Sequence, residues 1–76
     1  MNDAMRPDRM ITILLNDLPQ QVPANSSLEA LIRDLGEADP DLIVELNGRF
    51  VYPRDYASII ISVGDQLELI NPNFGG

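Results

Sequence analysis

The chain ends in two glycines, Gly75 and Gly76, and their terminal carboxylate is the group best suited to chemistry. Two residues without Cβ atoms can pass through a narrow channel and lie flat against the backbone of another protein. A carboxylate on such a tail is suited to being inserted into an active site, activated there and loaded with a new group. The alternative interpretation is an ordinary frayed end, because chain termini often lack fixed structure.

The other side chains offer little catalytic chemistry. The 76 residues include no histidine and no cysteine, which removes the commonest general base, the thiolate nucleophile and the usual zinc ligands. No glycine-rich phosphate loop is present either. Asp65 follows Gly64 and is interpreted as a turn residue whose carboxylate accepts from nearby backbone amides. We therefore expect no catalytic residue, no metal site and no bound cofactor in this chain.

The charge balance limits the partners. Twelve acidic residues against five basic ones give a net charge of -7, which disfavours nucleic acid and anionic membranes. A basic patch on a partner protein would complement this surface, although the acidity also serves solubility. No apolar run is long enough to span a membrane and no secretory signal is evident, so a cytoplasmic location is expected.

All five basic residues are arginines. One explanation is an arginine-rich genome. The other is that a chain with an activated acyl terminus avoids amines, which would attack it.

The first half of the chain predicts a hairpin followed by a helix. Strands are predicted at Met10–Leu15 and at 20–22, joined through an Asn16-Asp17 turn. Ser26 and Glu29 form a capping-box pattern. Apolar residues then recur at the spacing of one buried helix face, at Leu28, Leu31, Ile32 and Leu35. Gly36 is expected to end this helix, about three turns long, in a left-handed conformation.

The second half predicts more strands. A strand is predicted over residues 42–46, and Asn47-Gly48 favours a type I′ hairpin turn into a strand over residues 49–52. The last strand is predicted at Gln66–Ile70. A helix with one apolar face between strands implies a mixed sheet wrapped around that helix, an α+β fold. We predict a disordered extension at residues 1–9, a folded domain at residues 10–71 and a flexible tail at residues 72–76.

Three apolar residues are predicted on the outward side of their strands, Leu14, Ile43 and Ile70. They could form one patch for docking a partner, or they could be scattered surface aliphatics, which are normal. Phe74, two residues before Gly76, is interpreted as an anchor in a partner's pocket, the alternative being that it folds back on its own sheet.

The order of these motifs resembles the ubiquitin-like β-grasp sulfur carriers, above all the thiamine-biosynthesis sulfur carrier (ThiS) family. The resemblance covers residues 10–76 and rests on Leu15-Asn16-Asp17, Glu45-Leu46-Asn47-Gly48, Pro53-Arg54-Asp55-Tyr56, Val63-Gly64-Asp65-Gln66-Leu67-Glu68-Leu69 and Gly75-Gly76. It departs from the family at Tyr52, which is inserted before Pro53, and in the polar approach to the two glycines. The resemblance implies a β-grasp fold with a four- to five-stranded mixed sheet on one main helix.

The resemblance also implies a cycle on Gly76. A partner adenylyltransferase related to ubiquitin-activating enzymes would adenylate the carboxylate with ATP and Mg, and a persulfide or sulfide donor would then leave a thiocarboxylate there. A thiazole synthase or another acceptor enzyme would receive the sulfur, and the chain itself would be a carrier, not an enzyme. Three alternatives remain open at this point: the small subunit of molybdopterin synthase, a ubiquitin-like protein modifier, and an interaction module whose two glycines are incidental.

Overall fold

A computed structural model describes residues 9–72 of the chain, and these residues form one sheet with a helix on one face. The elements in chain order are β1 (Met10–Leu15), β2 (Leu18–Pro23), α1 (Leu28–Asp34), β3 (Ile43–Leu46), β4 (Arg49–Val51), a 3-10 helix (Pro53–Ser58) and β5 (Gln66–Ile70). Nearly all of the predicted N-terminal extension, and the tail beyond Pro72, lie outside the described residues, so the predictions for them remain predictions.

The sheet has five strands in the order β2-β1-β5-β3-β4. The central strand β5 runs parallel to β1, and every other neighbouring pair is antiparallel. Both hairpins turn through two residues with positive φ: Asn16 (49°) and Asp17 (71°), then Asn47 (53°) and Gly48 (82°). These are the signs that a type I′ turn requires, and asparagine and glycine tolerate them best. The mixed sheet predicted from the sequence is confirmed.

The core lies between α1 and one face of the sheet. Its buried side chains come from every strand, from the helix and from the segment before β5: Ile13, Val22, Leu28, Leu31, Ile32, Val44, Val51, Ile61 and Leu67. Ile11 and Leu15 pack against this cluster beside Ile13, because alternate side chains of a strand point to the same face. Residues of opposite parity on each strand therefore form the outer face of the sheet, away from the helix.

The helix begins one residue later than the capping-box pattern predicts. The N-cap is Ser27, whose Oγ accepts from the backbone amide of Ala30 at 3.0 Å. Ser26 instead donates its hydroxyl to the Pro23 carbonyl at 2.6 Å. The prediction of Ser26 as the N-cap is thus wrong. The reason is non-local, because the Ser26 carbonyl accepts from Ile61 and fixes this residue as part of the incoming backbone.

The helix ends as predicted but is shorter. Gly36 has φ +79°, and its amide donates to the Arg33 carbonyl at 3.0 Å while the Glu37 amide donates to Ile32 at 3.2 Å. This pair of hydrogen bonds is a Schellman motif, which satisfies the last helical carbonyls. Seven residues, about two turns rather than three, remain in α1.

Some predicted strand bounds also shift. The tight Asn16-Asp17 turn places Leu18 directly opposite Leu15, so β2 is longer than predicted. The strand β3 starts only at Ile43, because the Leu42 amide is engaged in a turn with the Asp39 carbonyl. The strand β4 stops at Val51, where Tyr52 leads into the 3-10 helix that begins at Pro53.

Candidate functional site

The strand β5 holds the base of the C-terminal tail in the middle of the sheet. Its last residue, Ile70, is paired with Ile43 of β3. On the other side, the side-chain oxygen of Asn16 accepts from the Leu69 amide at 2.9 Å. Asn16 thus continues, through its side chain, the pairing that β1 no longer supplies to β5. The tail starts from a point fixed on both sides; Gly75, Gly76 and Phe74 themselves lie outside the described residues.

The structure brings together two of the three residues predicted for a docking patch. Ile43 and Ile70 are direct cross-strand neighbours on the outer face, at the end of the sheet from which the tail leaves. Leu14 also lies on the outer face, but it is paired with Gln66. Ile70 lies four positions after Gln66 in β5, about 13 Å along the strand. Leu14 is therefore not a neighbour of the other two, and the role of all three in docking stays a prediction.

Two aromatic residues that the sequence reasoning missed extend this surface. Phe50 is 51% exposed and Tyr52 is 50% exposed, and their rings meet edge to face with centroids 4.8 Å apart. Phe50 is on the outer face because Val51 next to it is in the core. The alternation of side chains around Val51 in the sequence would have predicted this outward position of Phe50. We call Ile43, Phe50, Tyr52 and Ile70 the outer-face cluster.

A pair of carboxylates lies beside the outer-face cluster. Glu45 of β3 is paired with Glu68 of β5 on one side and with Phe50 of β4 on the other. Both glutamates are only partly exposed. Like charges directly opposite each other destabilise a sheet, and cationic side chains of a partner would relieve that repulsion. The surface therefore combines exposed apolar side chains with local negative charge.

The conformation of the β3–β4 turn is fixed by the side chain of Asn47. Its Oδ1 accepts from the Gln66 amide at 2.9 Å, and its Nδ2 donates to Asp65 Oδ1 at 3.1 Å. The second oxygen of Asp65 accepts from the Ser62 amide at 2.7 Å. This confirms the interpretation of Asp65 as a turn residue.

Two surface depressions formed by residues 9–72 lack the features of a small-molecule site. One, of about 260 Å³, lies between the end of α1 and the 3-10 helix and includes Tyr56. The buried Tyr56 hydroxyl has no hydrogen-bond partner among the residues that the structure describes, and its burial raises the pKa of the phenol above 10.0. Ligand pockets usually converge several polar groups on one point. Within residues 9–72 no group of three or more acidic, histidine or cysteine side chains could hold a metal ion.

Comparison with known proteins agrees with this fold. The sequence model of the ThiS family matches residues 10–76, nearly the whole chain. The chain belongs to the ThiS family. Members of this family are ThiS-like sulfur carriers, so the resemblance seen in the sequence is confirmed. No curated protein matches the chain closely enough to count as a relative.

A solved structure shows the same fold. The crystal structure of a thiamine biosynthesis protein (ThiS) from Geobacter metallireducens superposes with a TM-score of 0.75 at 23% sequence identity. The match covers 87% of this chain and all of the other. The β-grasp architecture expected for the ThiS family is thereby confirmed. Among the described residues, no helix has the length and apolar character needed to cross a bilayer.

Proposed function

We propose that this ThiS-family chain carries sulfur as a thiocarboxylate on Gly76. The observation that carries the proposal is the family match, which runs from residue 10 to the two terminal glycines. The described structure supports it, because the tail follows Ile70, which belongs to the outer-face cluster. A partner held on that cluster would have the tail within reach of its own active site.

The chemistry requires activation by a partner. A carboxylate is a poor electrophile, because its charge is delocalised and its oxygen is a poor leaving group. An oxygen of the Gly76 carboxylate would attack the α-phosphorus of ATP, with Mg bound to the nucleotide, and pyrophosphate would leave. Sulfide would then attack the acyl carbon and expel AMP, which leaves the thiocarboxylate directly. With a persulfide donor, the terminal sulfur would attack and expel AMP to give an acyl disulfide; a thiol would then attack the donor's sulfur, break the S–S bond, release the thiocarboxylate and leave the donor in a disulfide. The partner adenylyltransferase supplies the catalytic groups for these steps.

Docking on the adenylyltransferase would use the outer-face cluster. Its exposed aromatic and aliphatic side chains favour an apolar counterpart, as aromatic anchors do at protein interfaces. Glu45 and Glu68 favour arginine or lysine side chains at the border of that counterpart. The net charge of -7 adds long-range attraction to a basic partner. In this proposal Gly75 and Phe74 pass through the partner's channel, and Phe74 anchors the tail.

The acceptor of the sulfur is proposed to be a thiazole synthase of thiamine biosynthesis. Support comes from the family and from the fold neighbour, which is itself described as a thiamine biosynthesis protein. The competing assignment is the small subunit of molybdopterin synthase. Reconstitution of the sulfur transfer distinguishes the two assignments. The thiocarboxylate form of the chain should support thiazole formation by a thiazole synthase. Stable co-purification with a molybdopterin-synthase large subunit would contradict the thiazole assignment.

The central test is a mass measurement. The chain is incubated with the cognate adenylyltransferase, ATP, Mg and a sulfur donor. The intact mass should rise by about 16 Da, the difference between sulfur and oxygen. A matched variant lacking Gly75 and Gly76, and a reaction without ATP, should show no change. If the enzyme releases pyrophosphate with another carrier but leaves this chain unmodified, the proposal fails. Attachment of Gly76 to lysines of other proteins would indicate a protein modifier instead.

A further inference from the structure

The basic side chains near the base of the tail are guanidinium groups, and one of them contacts an aromatic ring. The Arg54 guanidinium lies over the Tyr52 ring, with its central carbon 4.5 Å from the ring centroid. Tyr52 belongs to the outer-face cluster, next to the row formed by Ile43 and Ile70. The whole sequence has five arginines and no lysine. A positive charge is thus held near the base of the tail without a primary amine.

Arg54 lies within the reach of the tail terminus. Ile70 is paired with Ile43, and Val44 is paired with Val51, so Tyr52 is about two strand spacings, or about 10 Å, from Ile70. The segment from residue 71 to residue 76 can span at most about 20 Å. The acyl carbon of Gly76 can therefore meet a side chain at position 54.

Arg9 lies beyond that reach. The parallel register sets Leu14 beside Gln66, so the level of Ile70 lies nine residues beyond Arg9 along the direction of β1. Nine extended residues correspond to roughly 30 Å. The backbone of Arg9 is held at the end of the sheet opposite Ile70, because its carbonyl accepts from the Ala24 amide at 2.9 Å. Position 54 thus lies inside the range of the tail, and position 9, also occupied by an arginine, lies outside it.

We propose that arginine at position 54 prevents the activated Gly76 from acylating its own domain, so that the external sulfur donor is the nucleophile that captures it. This inference rests on the proposed function. An arginine side chain stays protonated near neutral pH and has no nucleophilic lone pair, whereas lysine has a small free-amine fraction. Tethering through the six residues after Ile70 would give such an amine an effective concentration of the order of millimolar. Arginine keeps the cation–π contact with Tyr52 and excludes this reaction.

The reaction that arginine would prevent is aminolysis. The lone pair of a lysine Nζ would attack the Gly76 acyl carbon, a C–N bond would form, and the bond to the leaving group would break. The leaving group, AMP from an adenylate or a thiol from a thioester, would depart with the electron pair. The ammonium proton would pass to solvent. The product is an internal amide with no group left to accept sulfur.

The test uses a thioester of Gly76, made by thiol cleavage of an intein fusion, so it needs no activating enzyme. Wild type, Arg54→Lys and Arg9→Lys are compared by intact mass. The internal amide is about 18 Da lighter than the free acid. We expect Arg54→Lys to form it about tenfold or more faster than the other two proteins, at a rate independent of protein concentration. Fragmentation in the mass spectrometer should place the crosslink of Arg54→Lys at position 54. Wild type is the control for amide formation by the α-amine of the chain.

Two results would overturn the inference. One is equal amide formation in Arg54→Lys and Arg9→Lys. The other is no amide in Arg54→Lys while added ethylamine consumes the same thioester. Thermal unfolding verifies that both variants are folded. Failure here is separable from failure of the proposed function, because the latter is decided by the enzyme-dependent gain of about 16 Da in the wild-type chain.

Discussion

Glu45 and Glu68 are paired directly across β3 and β5, in the middle of the outer face and next to Phe50. Two opposed carboxylates on neighbouring strands destabilise a sheet by about 0.2–1 kcal/mol. The isolated domain has this repulsion on the same face that presents the outer-face cluster. A partner with cationic side chains at this point would relieve the repulsion on binding. The pair therefore links the stability of the free chain to its affinity for a partner.

Glu68→Gln should raise the free energy of unfolding by about 0.2–1 kcal/mol, because it removes the repulsion with Glu45. The same change should slow association with the adenylyltransferase and weaken the salt dependence of that association. Urea unfolding and stopped-flow binding at two salt concentrations measure the two effects. Asp34→Asn, which removes one negative charge from an exposed position at the end of α1, controls for net charge. An equal loss of association rate in both variants would show that only net charge matters.

Phe50→Ser should weaken binding to the adenylyltransferase by about tenfold or more, because aromatic anchors carry a large share of interface energy. The free domain should lose no more than about 1 kcal/mol, since Phe50 is half exposed and its described aromatic contact is with Tyr52. The matched control is Val63→Ser, because Val63 is 72% exposed in the turn before β5. Calorimetric titration compares the affinities. Unchanged affinity for Phe50→Ser would remove the outer-face cluster from the docking proposal.

Asn47→Gly should destabilise the domain by about 1–3 kcal/mol. Glycine accepts the positive φ of this position, but it leaves the Gln66 amide without its acceptor and Asp65 Oδ1 without the donor that Asn47 supplies. Asn25→Gly is the matched control, because Asn25 also has positive φ, 65°, but none of the hydrogen bonds that Asn47 makes. Asn25→Gly should change stability by no more than a few tenths of a kcal/mol. Equal urea midpoints for the two variants would contradict the role given to the Asn47 side chain.

Tyr56→Phe should leave stability unchanged or increase it, because the Tyr56 hydroxyl is buried and residues 9–72 offer it no partner. The pH dependence gives a second readout. Burial raises the pKa of Tyr56 in the folded state above the 10.0 of the free phenol. The unfolded chain therefore releases this proton first, and the wild type loses stability as pH rises above about 10. Urea unfolding is measured between pH 8 and pH 11. The free energy of unfolding should fall less with rising pH in Tyr56→Phe than in wild type.

Local sequence determined most of the elements of this fold. Asn47-Gly48 accepts the positive φ angles that a type I′ turn requires, and Gly36 supplies the left-handed residue that ends α1. Both depend on the preferences of the residues at the turn itself. The alternation along β1 and β5 likewise identifies the buried sides of these strands, because successive side chains point to opposite faces. The order of these motifs was enough to indicate the β-grasp fold and the ThiS family.

Contacts between distant segments decided what the sequence could not. Two adjacent serines were both suitable N-caps, and Ser27 became the cap because the segment 59–61 pairs with the backbone around Ser26. Leu14, Ile43 and Ile70 all point outward by parity, yet only the strand register makes Ile43 and Ile70 neighbours and separates Leu14 from them. The register comes from pairing between strands far apart in the chain, which no local pattern specifies. The terminal glycines were visible in the sequence; the surface at the base of their tail was decided by the sheet.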